Sequence, residues 1–71
     1  MKTKQLAAHV CTVDYGTHFA CIISIDNDEI VRADGLSHES AVVAMQAILW
    51  ESPNLARSLG TLPRWFHKVA A

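Results

Sequence analysis

His9, Cys11 and His18 are the residues whose types come nearest to a reactive set. Imidazole and thiolate are zinc ligands, and a thiolate beside an imidazole is a nucleophile. A metal or thiol site needs a further group and close convergence. Neighbours along a strand, or diagonal across it, sit about 7 Å apart, so these three read as structural, partly exposed side chains. Asp34, Ser37, His38 and Ser40 contain the ingredients of a hydrolytic triad in a short span. A triad is defined by geometry rather than by nearness in sequence, and these residues have a simpler use at a helix start. Asp26, Asp28 and Glu29 are oxygen donors without the roughly 12-residue loop and terminal bidentate Glu of a calcium site. Arg64-Trp65-Phe66-His67-Lys68 interleaves bases with aromatics, as single-strand nucleic-acid binders do, yet two aromatics in so short a chain are needed for a core. There is no Gly-rich phosphate loop. The sequence thus implies no catalytic residue, metal or cofactor, and no direct nucleic-acid partner.

The charge distribution says more. The net charge is −1, but all seven acids fall between Asp14 and Glu51, where Arg32 is the only base. Lys2, Lys4, Arg57, Arg64 and Lys68 lie outside that segment. If the fold sets Asp14, Asp26, Asp28, Glu29, Asp34 and Glu39 on adjoining surfaces, they form a negative patch able to occupy grooves that otherwise take phosphate.

Those residues must be positioned by few elements. With 71 residues, 51% of them apolar and 18% charged, the chain reads as a single folded domain spanning 1–71, with a small core. Two cysteines are too few for a disulfide scaffold, and reduced thiols in a cytosolic protein are the default. His9, Thr12 and Asp14 interrupt any signal-like run, and no run approaches the roughly 20 apolar residues that span a bilayer. The chain reads as soluble and intracellular, with no membrane contact.

Leu36 to Pro53 is the organising stretch. Ser37 can cap a helix, Leu36 can staple against Ala41, and Pro53 sets a stop. Ala41, Val42, Met45, Ile48 and Leu49 form one apolar stripe at helical spacing. Val43, Ala47 and Trp50 extend it round a second side, which the C-terminal segment or a partner should cover. Before the helix, alternation predicts strands over Gln5–Val13, His18–Ile25 and Ile30–Ala33, joined by turns at Asp14–Thr17 and Asp26–Glu29. A two-residue Tyr15-Gly16 loop puts Ala8 and Val10 on the face of Phe19, Cys21 and Ile23. A three-residue loop would instead bring Cys11 and Cys21 to one face, and burial favours the first. Asn54 can cap a short turn through Leu59, ended by Gly60. Leu62–Val69 reads as a final strand, with a short helix beginning near Pro63 as the alternative. The fold class is α+β: a three-stranded antiparallel β-meander packed by one main helix, with a short C-terminal strand or helical turn.

The helix exit, Ala44-Met45-Gln46-Ala47-Ile48-Leu49-Trp50-Glu51-Ser52-Pro53-Asn54, resembles a stretch of a small phage anti-CRISPR family that acts on type I systems. Ala44, Met45, Gln46, Trp50, Ser52, Pro53 and Asn54 carry the likeness, about 15% of the chain. It implies a non-enzymatic inhibitor whose partner is a type I RNA-guided surveillance complex or its nuclease-helicase, bound so that DNA binding or cleavage is blocked. The expected contacts are Asp26, Asp28, Glu29, Asp34 and Glu39, with Trp50 as an aromatic anchor. The alternative is a small regulatory or antitoxin-like homodimer pairing through Val43, Ala47 and Trp50.

Overall fold

The computed structural model describes residues 8–68. β1 (His9–Asp14), β2 (Phe19–Ile25) and β3 (Asp28–Gly35) form an antiparallel sheet in the order β1-β2-β3. α1 (His38–Glu51), α2 (Pro53–Ser58) and α3 (Arg64–Lys68) follow. This is the expected α+β meander with one main helix. Gln5–Ala7, placed in the first strand from sequence, lie outside the described residues, as does Val69.

Alternation sets the faces. Ala8, Val10, Phe19, Cys21, Ile23 and Ala33 point at α1 and join Val42, Met45, Leu49, Leu59 and Phe66 in one apolar cluster. β1 pairs with β2 so that Val10 faces Ile23 and Asp14 faces Phe19. The two-residue tip is therefore Gly16-Thr17 rather than Tyr15-Gly16, closed by the Tyr15 N–H donating to the His18 carbonyl at 2.9 Å. The pairing has slipped by two residues, which preserves every face. Gly16, at φ 91°, takes the left-handed position that Tyr15 would have had to adopt. Cys11 is accordingly exposed and Cys21 buried, on opposite faces.

The second turn is tighter than its composition suggests. Asp26 and Asn27 both adopt positive φ, 54° and 68°, the conformation of a two-residue hairpin whose twist matches its strands. Asp28 and Glu29 are thereby freed from the turn, and β3 begins at Asp28 instead of Ile30. The register shifts between Ile23↔Val31 and Ser24↔Glu29, leaving Ile30 as the extra residue of a bulge.

Ser37 caps α1 with a reciprocal pair: its hydroxyl accepts the Ser40 N–H, and the Ser40 hydroxyl accepts the Ser37 N–H. The staple does not form, since Leu36 is 86% exposed. Gly35 brings the end of β3 so close to α1 that a Cβ there would lie 2.5 Å from the Ala41 amide nitrogen and from Ser40 Oγ. Pro53 stops α1 but also starts α2 as its first residue, with Ser52 in the cap position and Asn54 inside the helix. The C-terminal segment is helical, not a strand. Pro63 starts the turn, its carbonyl accepting the Phe66 N–H at 3.1 Å. That turn buries Phe66 against α1, where Gln46 Nε2 donates to the Phe66 carbonyl.

Candidate functional site

Strand parity sends His9, Cys11 and Val13 of β1, Ile22 of β2, and Arg32 and Asp34 of β3 to the sheet face opposite α1, and the Tyr15–His18 pair that continues the ladder beyond β1 falls on the same side. His9, Cys11 and His18 do share this outer face, which follows from the even register of the first hairpin. They do not converge, and among the described residues no three His, Cys, Asp or Glu side chains gather as metal ligands. A different set meets there. Arg32 Nη2 donates to Tyr15 Oη at 2.9 Å, with its guanidinium 5.7 Å from the Tyr15 ring centroid. Tyr15 stacks on His18 at 5.0 Å, His18 Nε2 lies 4.0 Å from Asp34, and Glu29 lies 3.6 Å from Arg32. The Tyr15–Arg32 pair joins the β1 end to β3 across β2, which accounts for the complete burial of Ala20 on this otherwise open face. Tyr15 and Arg32 were not among the residues singled out from sequence, although alternation from Cys11 and from Asp34 places both on this side.

The components of a triad are spent on structure. Ser37 and Ser40 cap each other, and His38 Nδ1 is hydrogen-bonded to Thr12 Oγ1 at 2.8 Å, with the Trp65 ring 6.1 Å away. Cys21 is buried, and that burial first, and then its neighbour Cys11, push its thiol up to about 11 from 9.0.

The acids divide between the two ends of the sheet. Asp26 stands at the β2–β3 tip with Asp28 and Glu29 beside it. Asp14 and Asp34 lie at the other end, opposite Phe19 and Ala20, with Glu39 in the first turn of α1. The six residue steps of β2 between those ends span about 20 Å. The continuous negative patch anticipated from sequence is thus corrected to two separate groups, because one strand carries the chain from the first to the second. Asp26, Asp28 and Glu29 share the first of these ends, where Glu29 is partly balanced by Arg32.

A concavity lies on the α-helical side. α2 and α3 turn back against the second half of α1 and leave a groove of about 400 Å³ bordered by Gln46, Leu49, Trp50, Leu62, Phe66 and His67. Its floor is apolar, and Trp50 stands on its rim with 87% of its surface in solvent. On the same helix side Val43 is half-buried and Ala47 exposed. The C-terminal segment therefore covers the Gln46–Leu49 side of α1 and leaves Ala47 and Trp50 open. α1 leaves Gly35 and packs most extensively on β3, so its last turn is directed back toward the hairpin that carries Asp26, Asp28 and Glu29. Among the described residues no helix is long and apolar enough to cross a membrane. No family model, curated protein or solved structure matches this chain.

Proposed function

We propose that this protein is a non-enzymatic interaction module of the anti-CRISPR kind, which inhibits by occupying a surface of a type I surveillance complex or its nuclease-helicase. The observation that carries this reading is Trp50. A fully presented indole at the end of the main helix, on the rim of an apolar groove, costs solubility and contributes nothing to the core. Buried aromatic anchors dominate the energetics of protein interfaces. Trp50 also sits within the Ala44–Asn54 segment on which the anti-CRISPR likeness rests. Asp26, Asp28 and Glu29 add an acidic flank suited to a surface rich in Lys and Arg.

The test is recovery of tagged protein from cells expressing a type I complex, followed by a DNA-binding assay on the recovered material. Wild-type protein should retain complex components and lower their DNA binding. Trp50→Ala should weaken retention by about 30-fold, as removal of an interface hot spot does, with its unfolding temperature unchanged. Charge reversal at Asp26, Asp28 and Glu29 should also abolish recovery; unchanged recovery eliminates the acidic flank, and failure of wild-type protein to retain any component eliminates the function.

A further inference from the structure

The sheet has two edges, and they are built differently. β3 is guarded: a bulge at Ile30 interrupts its regularity, and Asp28, Glu29 and Asp34 are spaced along it. Bulges and edge charges are the devices that keep one sheet from adding to another. β1, His-Val-Cys-Thr-Val-Asp, is a regular strand without bulge, proline, glycine or lysine. The Tyr15 N–H bonded to the His18 carbonyl marks that pair as a close one. Antiparallel alternation then makes Val13, Cys11 and His9 the residues that bond to β2. It turns the amide and carbonyl of Val10, Thr12 and Asp14 outward, where among the described residues they meet no other backbone. α1 does not shield them, since it lies mainly over β3 and β2 and meets β1 through His38 on Thr12.

We infer that β1 is a self-pairing edge, through which two copies of this chain join antiparallel into one six-stranded sheet centred on Cys11. A twofold axis normal to the sheet keeps each face on its own side, so residues of like parity must oppose one another. Centring on Cys11 sets Val10 against Thr12 of the second copy, which are the two residues whose outward groups can exchange a full pair of hydrogen bonds. His9 then meets Val13, Ala8 meets Asp14, and the two Asp14 carboxylates fall at opposite ends, about 20 Å apart. The interface uses nothing beyond residues 8–14. A second copy is the favoured occupant because this strand is complementary to itself, whereas β3 paired with β3 would set acid near acid. The Trp50 groove and the Asp26 hairpin stay free, so a dimer would present each of them twice.

The register makes Cys11 a reporter. The two thiols would face each other across a wide antiparallel pair with Cα atoms about 4.5 Å apart, within reach of a disulfide. Sedimentation of the full chain across a concentration series should show a monomer–dimer equilibrium. Mild oxidation with copper–phenanthroline, which takes two electrons and two protons from each thiol pair, should link Cys11 to Cys11 and spare Cys21. Cys11→Lys and Cys11→Asp, both at an exposed position, should each weaken association by about tenfold or more through like charges at the axis, while an equimolar mixture of the two should restore it as a heterodimer. Circular dichroism of each variant checks that the fold is intact. A wild-type monomer at all concentrations, a dimer that survives both variants, or variants that fail to reassociate on mixing would each overturn the proposal.

Discussion

At the scale of the residue, the most constrained position is Gly35. Any side chain there meets backbone, 2.5 Å from the Ala41 nitrogen and 2.8 Å from the Ser40 carbonyl carbon, so relief requires moving the start of α1 off the sheet. Gly35→Ala should therefore destabilise by about 1–3 kcal/mol, the usual range for overpacking, as read from the denaturant midpoint. Cys21 makes a prediction in pH. Its thiol holds its proton more tightly folded than unfolded, so the contribution is complete below about pH 9 and lost as pH rises toward 11. Denaturation midpoints should fall across that window more steeply for wild type than for Cys21→Ala. At neutral pH an alkylating reagent should label Cys11 at once and Cys21 only on unfolding.

At the scale of the element, the sequence announced α1 through chemistry that works locally. Ser37 and Pro53 bracket it within a residue or two, and the Ala41–Leu49 stripe is its buried face. Removing the cap in Ser37→Ala should cost about 1 kcal/mol, and the loss should appear in thermal unfolding as a lower midpoint with unchanged cooperativity. The strand faces were equally legible, because a period of two survives any even slip in register. Hairpin tips were not. Whether Tyr15 or Gly16 leads a two-residue turn depends on which takes positive φ, and whether Asp28 belongs to a turn or a strand depends on both Asp26 and Asn27 doing so. The C-terminal segment is ambiguous between strand and short helix for a related reason: five residues with Trp65 and Phe66 suit a strand pattern, and only docking on α1 makes the turn after Pro63 preferable.

At the scale of the whole molecule, the candidate site was half legible. Trp50 could be named from sequence, but α1 is apolar on two sides, and which side α2 and α3 cover is a tertiary outcome. Clustering of acids in sequence did not become clustering in space, since β2 carries the chain from Asp14 at one end to Asp26 at the other. The segregation that results is useful in itself. Asp26, Asp28 and Glu29 share an end toward which the last turn of α1 is directed, while Arg57, Arg64 and Lys68 belong to the α2–α3 side. Raising salt should therefore weaken capture of a basic partner while leaving the Trp50 contribution in place, which a salt series on wild type and Trp50→Ala would resolve.

Both indoles of this chain lie at least partly in water, Trp50 almost wholly and Trp65 at 38% exposure. Its ultraviolet emission should therefore peak near that of free tryptophan in the native state and shift little when the fold is lost. Fluorescence is a poor melting probe for such a molecule, but a blue shift on adding a second protein would report directly that the rim indole has left solvent.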